Sequence, residues 1–147
     1  MIKYCGFILC IMALPALAQE RPPLSATMLD PNGGVVGGLL VIDSPAPYFK
    51  DPTWGKEYSP SVVIMPRLMD LPSGSLKLEV HNSGTCDGPQ GPSTASLILS
   101  ANDMGKVETP FVLPMTSLSG LSNHTITLHG GGDYKLLGCG SLINSEK

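Results

Sequence analysis

Two histidines and one glutamate carry side chains that could bind a metal ion. Glu79 and His81 lie two residues apart in the alternating run 76–81, and His129 ends a second alternating run at 125–129. Side chains of a β-strand alternate between its faces, so Glu79 and His81 share one face, and His129 lies on the polar face of its own strand. Two imidazoles and a carboxylate suit Cu(II), and similar donors hold zinc in some catalytic sites. If the two strands are neighbours, the three side chains could converge; otherwise they are ordinary solvated positions.

Other reaction chemistries find no support in the spacing of the polar residues. No serine or cysteine nucleophile is spaced to pair with a histidine, and the glycines at 130–132 do not open a helix as a phosphate-binding loop would. Met65 and Met69 could offer thioethers to Cu(I), but methionines beside apolar strand residues usually fill the core. Metal binding is therefore the candidate chemistry.

The first 18 residues have the three parts of a secretory signal peptide. Lys3 gives a short positive region, residues 5–14 are apolar but too short to span a bilayer, and Ala16 and Ala18 frame a cleavage site. We expect the mature chain to begin at Gln19, in the periplasm or outside the cell and without a membrane anchor. The alternative interpretation is an uncleaved anchor.

Cysteine usage and charge agree with export. Cys86 and Cys139 are the cysteines that remain after the signal peptide, and two cysteines in an exported domain most simply form one disulfide. A pair of metal thiolates would need further ligands at close spacing, which the chain lacks. The chain has 12 acidic and 9 basic residues, a net charge of −3 that becomes more negative without Lys3. This balance argues against binding to nucleic acid or to an anionic membrane surface.

The remaining pattern is typical of one all-β domain. Residues 19–34 are polar and rich in turn residues, which predicts a flexible N-terminal segment. Residues 35–147 show short apolar or alternating runs with no helical period, and the 17 Gly and 14 Pro of the chain favour a β-sandwich or flattened barrel. The expected strands are 35–42, 61–65, 76–81, 96–100, 109–113 and 125–129.

Several of these runs resemble the copper/zinc superoxide dismutases, in particular their bacterial periplasmic members. The run 61–74 resembles a strand of that family and its Pro-x-Leu-x-x-Leu-Pro-x-Gly connection, 78–86 resembles its His-x-His strand and Gly-x-Cys turn, and 128–140 resembles its last copper ligand and second disulfide half. The resemblance implies a Greek-key β-barrel with a Cys86–Cys139 disulfide. It also implies copper on the outer wall, held by four histidines of which one bridges to zinc.

Only part of that metal site has a counterpart. By position, His81 matches the second histidine of the His-x-His pair, and His129 matches the final copper histidine. Asp133 matches the aspartate that orients the ligand histidines from behind. Glu79 stands where the other histidine of the pair is expected. The resemblance therefore implies a tentative copper site of Glu79, His81 and His129, backed by Asp133.

The loops that complete the family's site are short. Residues 87–96 contain no histidine, so the bridging and zinc histidines are missing and zinc is not expected. Leu136 occupies the position of the arginine that guides superoxide in the family, with Lys135 beside it. We expect an exported superoxide-dismutase-like protein that binds copper weakly and is not an efficient dismutase. The alternatives are a copper-only dismutase and a non-catalytic domain that binds another envelope protein; the sequence indicates neither that partner nor an oligomeric state.

Overall fold

A computed structural model describes residues 21–43, 61–82, 85–88, 90–114 and 116–145. The expected signal peptide lies outside these residues. Within them the chain forms nine strands and one short helix: β1 (Leu24–Leu29), β2 (Val35–Asp43), β3 (Ser61–Leu68), β4 (Gly74–His81), β5 (Ser93–Ala101), β6 (Phe111–Pro114), α1 (Leu118–Leu121), β7 (Thr125–Gly130), β8 (Leu136–Ser141) and β9 (Ile143–Asn144).

The strands form one curled antiparallel sheet. Their order is β5-β4-β7-β8-β1-β2-β3-β6, and β9 pairs with β1. The connections from β3 to β4 and from β6 to β7 join strands that are not neighbours, as in Greek-key barrels. The expected all-β fold is confirmed, and β4 lies directly beside β7.

The predicted alternation of β4 and β7 is confirmed on the inner face. Leu76, Leu78 and Val80 of β4 and Ile126 and Leu128 of β7 are at most 1% exposed. Burying a side chain of this size contributes about 1.5–3 kcal/mol relative to leaving it in water. Burial of the inner face therefore fixes the positions of β4 and β7, and with them the positions of the polar side chains on the outer face.

The interpretation of residues 19–34 as a flexible segment is wrong for Leu24–Leu29, which form β1. Leu24, Ala26 and Met28 are buried in the core, and β1 pairs with β2 along its whole length. The prolines at 22–23 and the turn at 30–34 do not make the segment a loop. They mark the two ends of a short alternating strand.

Three further elements, β8, β9 and α1, were not expected from the sequence. β8 contains glycines at 138 and 140, which weaken a strand pattern because they have no side chain to alternate. Gly140 is required by packing, since a Cβ there would lie 2.5 Å from the carbonyl oxygen of Thr27 in β1. The helix α1 is a single turn, capped by the Ser117 side chain, and is too short to give a helical period.

The predicted disulfide is confirmed. Cys86, which follows β4, is bonded to Cys139 in β8, with the two Cα atoms 5.6 Å apart. It ties the segment after β4 to a strand two places away in the sheet. Across the described ranges, no helix has both the length and the apolar character needed to cross a membrane.

Candidate functional site

Pairing between β4 and β7 brings the candidate residues to one place on the outer face. Lys77 is opposite His129, Glu79 is opposite Thr127, and His81 is opposite Thr125. The condition set by the sequence, that the two strands be neighbours, is met. Glu79 is nevertheless only 8% exposed, and the side chain of His129 is 14% exposed, so the positions are not ordinary solvated ones.

The two imidazoles converge on the hydroxyl of Thr127. This oxygen is 2.9 Å from Nε2 of His81 and 3.0 Å from Nε2 of His129. Thr127 is itself 1% exposed. The two Nε2 atoms are therefore no farther apart than the sum of those two distances, on a buried part of the sheet surface.

The other ring nitrogens face backbone carbonyls. Nδ1 of His81 is 2.9 Å from the oxygen of Gly91, and Nδ1 of His129 is 3.3 Å from the oxygen of Tyr134. A carbonyl only accepts, so each Nδ1 is the donor, and Nε2 of a neutral ring then needs a donor of its own. One hydroxyl has one hydrogen and can serve only one of them. The second Nε2 needs another partner, such as a water molecule or a cation.

The carboxylate of Glu79 is already engaged. Its Oε1 lies 2.8 Å from Nζ of Lys77, and its Oε2 accepts a hydrogen bond from the hydroxyl of Tyr134. The Lys77 ammonium, followed by the Tyr134 hydroxyl, lowers the pKa of Glu79 below its ordinary value despite burial. The same hydrogen bond to Glu79 raises the pKa of Lys77. Glu79 is therefore an ionised partner in a polar network.

Tyr134 covers His129 from the turn between β7 and β8. The two rings are stacked, with centroids 4.4 Å apart and planes 11° apart, and the Lys77 ammonium lies 5.0 Å from the tyrosine centroid. Tyr134 has a φ of 56°, a left-handed conformation that is uncommon outside glycine. The hydroxyl of Tyr134 thus reaches Glu79 while its ring shields one side of His129.

Asp133 does not join this group. Its side chain is exposed, and Oδ1 accepts a hydrogen bond from the backbone N–H of Lys135 at 3.1 Å. The oxygen near Nδ1 of His129 is the Tyr134 carbonyl, so the backbone holds the orientation expected from Asp133. The remaining histidine, His124, lies in a separate cleft beside Thr94 and Ser117.

We define the outer-face cluster as Lys77, Glu79, His81, Thr127, His129 and Tyr134. Sequence reasoning missed three of its members. The period of two could have found Lys77 and Thr127, because they share a strand face with Glu79 and with His129 respectively. Tyr134 gave no such signal because it lies in a turn with no repeating pattern.

The cluster fits a metal only in part. In the portion of the chain that the structure describes, no three or more His, Cys, Asp or Glu side chains are grouped as a metal site. The two Nε2 atoms are donors of the right type for copper or zinc and point to a common position. Oε2 of Glu79 lies 3.6 Å from Nε2 of His129, but the two carboxylate oxygens are already paired with Lys77 and Tyr134. The metal set of Glu79, His81 and His129 therefore stays a prediction.

Comparisons with known proteins support the fold. No protein-family model matches the chain, and no curated protein matches it. Among solved structures, the chain is similar to the Cu/Zn superoxide dismutase from Brucella abortus, with a TM-score of 0.55 and 17% sequence identity over 81% of this chain and 98% of that one. The chain therefore has a Cu/Zn superoxide dismutase-like fold.

Proposed function

We propose that this is an exported superoxide-dismutase-like protein that binds Cu(II) weakly through His81 and His129 and is not an efficient dismutase. The observation that carries the proposal is the shared hydroxyl of Thr127, 2.9 and 3.0 Å from the two Nε2 atoms. Two imidazoles aimed at one position provide a nitrogen pair that a cation can use. A single hydroxyl proton cannot satisfy both of them.

The surrounding residues set the strength of binding. The carbonyls of Gly91 and Tyr134 hold each Nδ1 as a donor, which leaves each Nε2 with its lone pair directed outward from the ring. A bound ion would have to replace the hydrogen bonds of Thr127, which lowers the net gain. A bound copper would supply a redox-active centre with tetragonal preference.

Efficient superoxide turnover needs more than this pair provides. Copper that cycles between two oxidation states needs several nitrogen ligands suited to both. Here the carboxylate of Glu79 is held by Lys77 at 2.8 Å and by Tyr134, so it is not a free ligand. The side chain at position 136 is a leucine, so the site also lacks the cation that the family places there to attract the anion.

Export is supported by the disulfide and by the N-terminal sequence. A bond between Cys86 and Cys139 forms and persists in oxidising compartments such as the bacterial periplasm. The mass of the protein isolated from the periplasm tests this part of the proposal. We expect a mature chain that begins at Gln19; a cytoplasmic protein with an intact N-terminus would contradict export.

Copper binding is tested by titrating the metal-free protein with Cu(II) and recording electron paramagnetic resonance spectra. We expect one weak site with nitrogen hyperfine coupling, lost in His81→Gln and in His129→Gln. His124→Gln is the matched control, because His124 lies in a separate cleft and has the same side-chain chemistry. Binding that survives both cluster variants but is lost with His124→Gln would reject the proposed site.

A further inference from the structure

Strand β5 is a free edge of the sheet. Within the described residues it is hydrogen-bonded to β4 alone, and β6, at the other end of the strand order, does not pair with it. In an antiparallel sheet, alternate residues of an edge strand direct their N–H and C=O groups away from the neighbouring strand. β5 therefore presents a row of backbone groups that a further strand can pair with.

Most features that prevent association are absent from residues 95–101 of this edge; the one bulge of β5 is at Thr94, before that segment. Natural edge strands are protected by charged side chains, proline, bulges or short length. β5 has nine residues, and none of them is charged or a proline. Its central outward-facing residue, Ile98, is 70% exposed. An uncharged strand of this length with an exposed isoleucine is open to pairing.

The sequence of the edge is symmetric. From residue 95 to residue 101 it reads Ala-Ser-Leu-Ile-Leu-Ser-Ala, which is identical in both directions about Ile98. If two copies of this strand pair antiparallel about Ile98, every residue meets its own type. Leu97 lies opposite Leu99 of the second copy on the inner face, and Ile98 lies opposite Ile98 on the outer face.

We propose that the β5 edge is a self-association surface that pairs with β5 of a second copy of this chain about a two-fold axis at Ile98. An isologous contact requires a self-complementary surface, which the symmetric sequence provides. Charge agrees with this occupant, because β5 is neutral. Lys77, the residue of β4 opposite Ile98, is neutralised by Glu79 at 2.8 Å. No uncompensated like charges are brought together.

The size of the contact sets its strength. A seven-residue strand edge is about 23 Å long and a sheet layer is about 10 Å thick, so the paired edge covers on the order of 230 Å² per copy. A stable interface buries about 800 Å² per partner. We therefore expect a weak dimer that forms as the protein concentration rises. Covalent trapping is accordingly the most sensitive assay.

The register gives a sharp trapping test on the oxidised protein that begins at Gln19, which lacks Cys5 and Cys10. A residue on the axis faces itself at a Cα separation of about 4.5–5.5 Å, which suits a disulfide. Ile98→Cys is therefore expected to form a covalent dimer on mild oxidation. Ser96→Cys alone is expected to remain monomeric, because two copies of residue 96 lie about 13 Å apart along the strand. A mixture of Ser96→Cys and Ser100→Cys is expected to cross-link.

Wild-type protein, whose Cys86 and Cys139 are already bonded, is the control for background cross-linking. A monomeric Ile98→Cys protein, or equal cross-linking of Ile98→Cys and Ser96→Cys, would overturn the proposal. Sedimentation provides a second measurement that needs no added cysteine. We expect the dimer of the wild type to be lost in Ile98→Lys and retained in Met104→Lys, where the replaced side chain is equally exposed but lies beyond β5. A wild type that stays monomeric at about 1 mM, well above the range of specific micromolar association, would equally overturn it.

Discussion

The Cys86–Cys139 disulfide and the outer-face cluster are two parts of the same dismutase-like fold that differ in how far they agree with the family resemblance. The disulfide joins the segment after β4 to β8 in the pairing that the family resemblance implies. The cluster lies on the outer face of β4 and β7, and its glutamate is paired with a lysine and a tyrosine. The implied disulfide is therefore present, whereas the described residues contain no group of three or more His, Cys, Asp or Glu side chains that could hold a metal.

The residues that stabilise the fold and the residues that could bind a metal lie on opposite faces of β4 and β7. The buried inner face of β4 and β7 depends on Leu76, Leu78, Val80, Ile126 and Leu128, none of which contacts a metal in any reading of the site. The outer face of the same strands can change its polar residues as long as their hydrogen bonds are satisfied. In this protein the carboxylate of Glu79 is paired with Lys77 and Tyr134, whereas the two imidazoles share the one hydroxyl of Thr127.

Removing the disulfide should have the largest effect on the stabilising region. We expect Cys86→Ala combined with Cys139→Ala to lower the free energy of unfolding by about 4 kcal/mol, because the bond closes a loop with a sequence separation of 53. Urea denaturation followed by circular dichroism measures it. Copper binding by the folded fraction should be unchanged. A decrease of less than about 1 kcal/mol in the free energy of unfolding would show that the bond does not constrain the unfolded chain as the loop-closure model requires.

Adding an imidazole should have the largest effect on the outer-face cluster. We expect Glu79→His to raise the Cu(II) affinity at least about tenfold, since it adds a third nitrogen donor and frees the site from Lys77 and Tyr134. Competition with a chelator of known affinity measures this change. Glu79→Gln is the control, because it removes the carboxylate charge without adding an imidazole. Equal affinities in the two variants would mean that position 79 does not face the metal.

The cluster should also contribute to stability, but less than the disulfide. We expect Glu79→Gln to lower the free energy of unfolding by about 1 kcal/mol, because a partly exposed ion pair and one hydrogen bond are weakened. Chemical denaturation at neutral pH measures it. An unchanged or increased free energy of unfolding would show that the ion pair and the hydrogen bond of Glu79 give no net stabilisation.

The contribution of Glu79 should depend on pH in one direction. Its pKa in the folded protein is lower than its ordinary value near 4.5, so the unfolded chain binds the proton more readily. The stabilisation is therefore complete above about pH 4.5 and is lost as the pH falls through the pKa of the folded state. The difference in unfolding free energy between wild type and Glu79→Gln should shrink on acidification. A difference that grows as the pH falls would contradict the assigned ion pair.

The smallest effect is expected from the tyrosine hydroxyl. Tyr134→Phe keeps the ring stacked on His129 and removes only the hydrogen bond to Glu79, so we expect a loss of about 0.5–1 kcal/mol in unfolding free energy. Thermal denaturation measures it. Tyr134→Ala is the comparison that also removes the ring. If the two variants are equally destabilised, stacking contributes nothing beyond the hydroxyl.

The sequence predicted the strand faces better than the segments between them. Alternation assigned Leu78 to the core and Glu79 to the outer face, because period-two patterns survive wherever both faces have distinct environments. It missed β1, where turn residues at both ends concealed a short strand, and β8, where glycine replaces side chains for close packing. These elements are defined by contacts with distant strands, which a local pattern does not contain.

The site was predictable in position but not in its connections. The family resemblance and the strand register together located Glu79, His81 and His129. The partners of Glu79 could not be deduced, because Tyr134 reaches it from a turn whose conformation depends on a positive φ. Asp133, two residues before Lys135, was expected behind the histidines and instead bonds to the backbone of its own turn.

The central claim, a dismutase fold without efficient dismutase chemistry, is tested most directly by superoxide turnover of the copper-loaded protein. The rate should be compared with that of free copper at the same concentration, with and without a chelator that removes loosely held ion. We predict that the chelator abolishes the activity, because two imidazoles beside an engaged glutamate hold copper weakly. A chelator-resistant rate constant near the diffusional limit, about 10⁹ M⁻¹s⁻¹, would contradict the account and show that His81 and His129 suffice.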